Sequence, residues 1–168
     1  MFVITSSTKS EIEKMNKELK ILSKIRIALI GSSIAKELCE ENNYKKEILS
    51  GVPIDFKKDL DVSARTENAR IFLSSKLIDK SFDIVMRYVI HELTHVFHHL
   101  KNESDREKSK DYLDRDTEIE AFQYQIEYDS KNRSKEKAKD YAEGLLEFHK
   151  IPEKEKEDKL EELLEKVE

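Results

Sequence analysis

The sequence predicts an α+β fold that is mostly helical, with a small sheet ahead of one central helix. Glycine (3) and proline (2) are scarce among the 168 residues, and 40% of the residues are charged, which favours helices with solvated faces. β-prone segments are concentrated between residues 44 and 75. We expect one domain over residues 1–168, made of an N-terminal helical part (1–43), a sheet with central helices (44–130) and C-terminal helices (131–168).

The N-terminal part is predicted to form two helices after a β-prone start at residues 2–4. Ser10 followed by Glu13 fits a capping box, so the first helix is predicted to begin at Ser10. Gly31 predicts a break, after which a second helix covers residues 34–41. The first helix carries one apolar stripe at steps of three and four residues, formed by Ile12, Met15, Leu19 and Leu22.

The middle of the chain is predicted to be built from short strands. A strand at 46–49 is expected to turn into a second strand at 52–56, in which Pro53 favours an edge or strand-start position. Residues 59–68 are polar and are predicted to form a loop. The best strand pattern of the chain covers residues 69–74.

The central helix is predicted to begin after Ser81, a suitable N-cap. Helical projection places three histidines on a narrow polar line, at His91, His95 and His98. The opposite arc is apolar and contains Val85, Met86, Val89, Ile90, Leu93, Val96, Phe97 and Leu100. A helix facing solvent would not need so broad an apolar arc, so a buried helix is predicted.

Further helices are predicted after a charged connector at residues 101–111. They cover residues 114–130, 135–149 and 153–167, and Pro152 separates the last two. The last helix is amphipathic, as expected for a helix that packs on the domain or on another copy.

The segment His91-Glu92-Leu93-Thr94-His95 carries the pattern from which a function can be predicted. On a helix, residues four apart lie about 40° apart in projection and about 6 Å apart along the axis. His91 and His95 can therefore hold one metal ion, and Glu92 projects beside them, where it could accept a proton from an attacking water. The alternative is that both histidines fill the core and hydrogen-bond to backbone carbonyls.

A catalytic zinc site usually needs a third protein ligand. His99 lies about 12 Å along the axis from His91, too far for one ion to reach both. We expect His98 and His99 to contact the C-terminus of the helix or a carboxylate behind the ligands.

The helix at residues 114–130 is the better source of this ligand. Its apolar face centres on Ile119, Phe122 and Ile126, and this face is expected to pack on the histidine helix. Glu118 projects about 60° from the centre of the face and Glu120 about 140°, so Glu118 is favoured and Glu120 is expected to be solvated. Both acids could instead be ordinary surface residues.

The two segments His91-Glu92-Leu93-Thr94-His95 and Glu118-Ile119-Glu120-Ala121-Phe122 resemble the gluzincin metallopeptidases, in particular the minigluzincins and the ImmA/IrrE-type and CAAX-protease-type sequences. The resemblance implies a zincin-like fold in which His91, His95 and Glu118 bind Zn²⁺ and Glu92 is the general base and acid. It also implies that the strand at Ile71, Phe72 and Leu73 pairs with an extended substrate peptide.

The sequence departs from these families at position 122, where a residue that supports a metal-binding histidine is expected. Phe122 stands where they often carry Asp or Asn, so Asp116 or Asp129 would have to support a ligand histidine. Arg87 could bind a substrate carboxylate or form a surface salt bridge. The donor to a developing oxyanion has several candidates, namely Tyr112, Tyr124, Tyr128, Tyr141 and His149.

Composition narrows the partners and the compartment. The net charge is −5 with interspersed signs, so no basic stripe is available for nucleic acid. No apolar run approaches the ~20 residues of a membrane span, and the apolar start is too short for us to expect a signal peptide. Cys39 is the single cysteine, which is typical of a cytoplasmic protein.

The sequence thus predicts a zinc metallopeptidase that acts on a protein or peptide. The alternative is a non-catalytic or latent regulatory protein, of the kind found in phages or mobile elements, whose cleft could be covered by residues 10–43.

Overall fold

The computed structural model describes residues 6–103 and 110–167, and it has the mostly helical α+β fold that the sequence predicts. Its helices are α1 (Ser6–Gly31), α2 (Ser33–Glu41), the single turn α3 (Ile48–Gly51), α4 (Phe82–Leu100), α5 (Asp116–Asn132), α6 (Lys135–Phe148) and α7 (Glu153–Leu163). Its strands are β1 (Ile54–Lys57), β2 (Ala64–Glu67) and β3 (Arg70–Ser74). Short 3₁₀ helices cover Ser75–Asp79 and Tyr112–Asp114.

The sheet has the order β1-β3-β2. β3 lies in the centre, parallel to β1 and antiparallel to β2. The predicted strand at 69–74 is therefore confirmed, and Pro53 directly precedes the edge strand β1, as expected. The predicted strand at 46–49 is wrong, because this segment leads into the helical turn α3, and the predicted loop at 59–68 contains β2.

β2 and β3 are joined by a two-residue turn at Asn68 and Ala69. Both residues have positive φ, 50° and 57°, which is the condition for a type I′ hairpin turn. Asparagine tolerates this region, whereas alanine is strained there by its Cβ. The turn fixes the register of β2 against β3. β2 is an edge strand of the sheet.

The helix boundaries agree with the sequence at several points and differ at one. The break at Gly31 is confirmed, and the Ser32 side chain caps α2 by accepting a hydrogen bond from the Ala35 amide at 3.2 Å. α4 begins directly after Ser81, as predicted. The predicted start at Ser10 is wrong, since α1 is already helical at Ser6. The β-prone start at 2–4 and positions 104–109 of the connector lie outside the described residues.

Two hydrophobic cores divide the chain. The first joins α1, α2, the sheet and α4, and it includes Tyr124 and Tyr128 of α5. The second joins α5 to α6 and α7 through Ile119, Phe122 and Ile126. The expectation that this face packs on α4 is met only in part, by Phe122, whose ring also meets His91. α5 is buried at every position from 121 to 129, so its apolar stripe marks only one of two buried faces.

Among the described residues, no helix combines the length and the apolar character that crossing a bilayer requires.

Candidate metal centre

α4 holds the two histidines of the motif on one side, one turn apart. Their Nε2 atoms lie 3.2 Å from each other. α4 packs along α5, which places Glu118 opposite this pair, with Oε2 at 3.5 Å from His91 Nε2 and 3.3 Å from His95 Nε2. One ligand atom from each residue thus converges on one point, and the three residues form a group that could hold a metal ion. The structure brings together the three residues that the sequence proposes as ligands.

The charges at this group suit a cation. Glu118 Oε2 is buried and, within the part of the chain that the structure describes, has no hydrogen-bond donor of good geometry. Burial alone would raise the pKa of Glu118, but the neighbouring His91 and His95 outweigh it and hold this pKa far below its usual range. A buried ionised carboxylate with one oxygen that lacks a proper donor is suited to bind a positive ion.

Glu92 lies one residue from His91 on the same helix and borders the same cleft. Its side chain is buried, and its Oε2 lies 2.8 Å from the hydroxyl of Thr66. The same hydroxyl lies 2.9 Å from the backbone carbonyl oxygen of Glu92. Thr66 belongs to β2, so the edge strand of the sheet orients the carboxylate of Glu92, the proposed base.

A second pair connects α4 and α5 behind the histidines. His98 is 1% exposed, and its Nε2 lies 2.7 Å from Glu120 Oε2. Its Nδ1 lies 3.3 Å from the Nδ1 of His95. The expected contact of His98 with a carboxylate is present, whereas Glu120 is only partly solvated, with its side chain 34% exposed and its Oε2 facing His98. The hydrogen bond from His98 lowers the pKa of Glu120.

The five candidate donors separate clearly in space. Tyr112 borders the cleft and stacks on His149, with ring centroids 5.0 Å apart and an angle of 12°. Burial, and then the charge of Glu118, raises the pKa of the Tyr112 phenol, which therefore keeps its proton. The other tyrosines lie away from the cleft, with Tyr124 bonded to Glu41, Tyr141 to Gln125 and Tyr128 packed in the first core.

Neither aspartate proposed to support a histidine does so. Asp129 is fully buried and accepts from Arg87 at 3.0 Å and from Arg133 at 3.2 Å. Asp116 has a largely exposed side chain near Lys110. Arg87 is consequently part of a buried ion pair, neither a surface salt bridge nor a residue of the cleft. The ring of Phe122 packs edge-on against His91, with centroids 4.6 Å apart.

The cleft above these groups has a volume of about 730 Å³. The predicted substrate strand does not border it, because both edges of β3 are already paired and Ile71 and Leu73 are fully buried. β2 takes that position instead. The cleft is lined by Val62, Ala64, Arg65, Thr66, Glu67, Asn68, His91, Glu92, His95, His99, Tyr112, Arg115 and Glu118.

Among the cleft residues that sequence reasoning missed, Thr66 contacts Glu92 and Arg115 contacts Tyr112. Thr66 lies in a strand whose sequence, Ala-Arg-Thr-Glu, is half charged and was therefore assigned to a loop. Arg115 directly precedes α5, and its side chain lies over the Tyr112 ring, 5.5 Å from the centroid.

No family model, curated protein or solved structure matches the chain. The chemistry of the site therefore has to be argued from its own residues.

Proposed function

We propose that the chain is a zinc-dependent peptidase of gluzincin type with a zincin-like fold, which hydrolyses peptide bonds in a protein or peptide. The observation that carries this proposal is the spacing of the three ligand atoms. Zinc bonds to nitrogen and oxygen of about 2.0–2.1 Å in a tetrahedron place neighbouring ligand atoms about 3.3 Å apart. The corresponding separations here are 3.2, 3.3 and 3.5 Å.

The donor set supports the same metal. Two imidazoles and one carboxylate are a known ligand set of catalytic zinc, and three protein ligands leave a fourth position open. All three residues border the cleft, so this position would face a substrate. Zinc bound there would supply a Lewis acid that polarises a carbonyl and lowers the pKa of a water to about 7.

Glu92 is the proposed general base and acid. Its carboxylate accepts a proton from the attacking water and passes it to the leaving amine nitrogen. The hydroxyl of Thr66, 2.8 Å from Oε2, limits the orientations of this carboxylate. Tyr112 is the proposed donor to the developing oxyanion, because its phenol borders the cleft and stays protonated.

The substrate is proposed to bind as an extended strand along β2. In the antiparallel pairing, the Ser74 amide donates to the Ser63 carbonyl at 2.8 Å. Hydrogen-bonded and non-hydrogen-bonded pairs alternate from there, so the backbone groups of Ala64 and Thr66 point away from β3. An added strand would use these groups for its own hydrogen bonds.

Cleavage of unfolded casein by the zinc-loaded chain tests the proposal. We expect cleavage that a chelator abolishes and added zinc restores, and Glu92→Gln should lose it while still binding zinc. The matched control is Glu143→Gln, an exposed residue of α6. Absence of cleavage, or cleavage that Glu92→Gln leaves unchanged, would contradict the proposal. Zinc binding without cleavage would support the non-catalytic alternative.

The latent form of that alternative needs a covered cleft. None of the residues described in α1 and α2 lines the cleft, which is bordered by residues between 62 and 118. The proposed activity therefore belongs to the chain without removal of its N-terminal helices.

A further inference from the structure

The contact between His95 and His98 joins the proposed ligand to a residue that cannot reach the metal itself. His95 directs Nε2 toward His91 and Glu118 and directs Nδ1 toward His98, at 3.3 Å. His98 in turn directs Nε2 toward Glu120, at 2.7 Å. The three side chains form one line that starts at the metal centre and ends at a carboxylate.

The protons on this line have one consistent arrangement. A neutral imidazole that binds a metal through Nε2 carries its proton on Nδ1. The Nδ1–H of His95 can then donate only to an unprotonated Nδ1 of His98. His98 must therefore carry its proton on Nε2, where it donates to Glu120. Every polar atom of the two rings is used in this arrangement.

His91 lacks a comparable support. Its Nδ1 is buried and has no hydrogen-bond partner among the described residues, and its ring meets Phe122 instead. A metal-binding histidine is usually oriented through its second ring nitrogen. The orientation of the metal-binding pair therefore depends on His95.

We propose that His98 and Glu120 are positioning residues that fix His95 in the tautomer and the ring orientation needed to bind the metal. The proposal rests on the proposed zinc site. It explains why a polar side chain that is 1% exposed is kept at position 98 and why Glu120 turns toward α4. α5 thus contacts the histidines of α4 at two positions. Glu118 lies beside His91 and His95 as the third proposed ligand, and Glu120 lies behind them beside His98.

Zinc affinity, measured by competition with a chromophoric chelator, tests the proposal without any assay of activity. We expect His98→Phe to raise the zinc Kd about 10- to 100-fold, the usual effect of removing a partner behind a metal ligand. Glu120→Gln keeps an acceptor oxygen and should have a smaller effect than Glu120→Ala. The matched control Glu143→Gln should leave the Kd unchanged, because its side chain is exposed and pairs with Lys139.

The imidazole ¹⁵N spectrum of the zinc-loaded protein provides a readout that a purely structural role would not change. We expect His98 as the Nε2–H tautomer in the native chain and a changed Nδ1–H signal of His95 in Glu120→Ala. A native Kd in His98→Phe, or His98 found as the Nδ1–H tautomer, would overturn the proposal. If His98→Phe does not fold, Glu120→Ala at its partly exposed position provides the same comparison.

Zinc-binding measurements distinguish a failure of the proposed zinc site from a failure of this inference alone. If the native chain binds no zinc, or His91→Ala binds it equally well, the proposed function falls together with this inference. If the native chain binds zinc and both His91→Ala and Glu118→Ala lose it, while His98→Phe and Glu120→Ala do not, this inference alone falls.

Discussion

The hydroxyl of Thr66 lies 2.8 Å from the carboxylate and 2.9 Å from the backbone carbonyl of Glu92. Thr66 therefore joins the edge strand to the helix at the residue proposed as the base. The same strand carries the backbone groups proposed to bind substrate. The proposed substrate binding and the orientation of the proposed base would thus depend on one segment of four residues.

We expect Thr66→Val to lower kcat about 10-fold without changing the zinc Kd, because the valine keeps the volume but cannot donate to Glu92. Thr66→Ser restores the hydroxyl and should restore most of kcat. Steady-state kinetics on a casein-derived peptide would measure the effect. An equal loss in both variants would show that the hydroxyl is not responsible.

Tyr112→Phe should lower kcat about 100-fold, the usual effect of removing one oxyanion donor. Tyr128→Phe is a suitable control, since Tyr128 packs in the first core, away from the cleft. Equal kcat values for the two variants would remove Tyr112 from the mechanism.

Zinc binding should depend on pH through His95. Burial alone would lower the pKa of His95, but the Glu118 carboxylate outweighs burial and holds it above 6.5. In the metal-free chain this raised pKa stabilises the fold below about pH 6.5, and the stabilisation is lost as the pH rises through the folded-state pKa. Glu118 adds no pH dependence in this range, because its lowered pKa affects stability only in acid.

We therefore expect the Tm of the metal-free chain to fall as the pH rises above about 6.5, while the increase in Tm caused by zinc grows. The increase grows because zinc requires the deprotonated imidazole. Thermal unfolding with and without a chelator would measure both trends. A zinc effect that is independent of pH would argue against His95 as a ligand.

Asp129→Ala should destabilise the fold by about 3 kcal/mol, because it leaves Arg87 buried without its carboxylate partner. Urea unfolding would measure this change. Glu143→Ala, in the exposed pair with Lys139, should change the stability by less than about 0.5 kcal/mol. Zinc affinity of the folded Asp129→Ala chain should be native, and a large loss of affinity would place Asp129 in the metal centre after all.

Ala69→Gly should stabilise the fold by about 0.5–1 kcal/mol. Glycine relieves the strain of positive φ at this position. The free energy gained in this way exceeds the additional entropic cost of ordering glycine on folding. Ala64→Gly in β2 has extended backbone and should instead destabilise, as glycine does in strands. Urea unfolding would show whether the two changes have opposite signs.

The sequence predicted what depends on short-range spacing. His91 and His95 share one side of α4 because they are one turn apart, and Glu118 lies at the start of the next long helix. β2 was missed because its residues are half charged and its turn is Asn-Ala, whereas Asn-Gly is the strong hairpin signal.

A contact of His98 with a carboxylate was expected, but its identity as Glu120 could not be inferred, because it depends on how α4 and α5 cross. The packing of α5 was predicted only in part for a related reason. A helix that is buried on two sides has no single apolar stripe, and tertiary contacts decide which neighbour each side meets.

The boundary between the two hydrophobic cores passes through the candidate metal centre. His91 and His95 lie on α4, which belongs to the first core, whereas Glu118 opens the helix whose outer side builds the second. An ion shared by the three side chains would join the two hydrophobic cores, which otherwise meet along α5. Its binding free energy would then contribute to the cohesion of the whole domain, including the distant hairpin of α6 and α7.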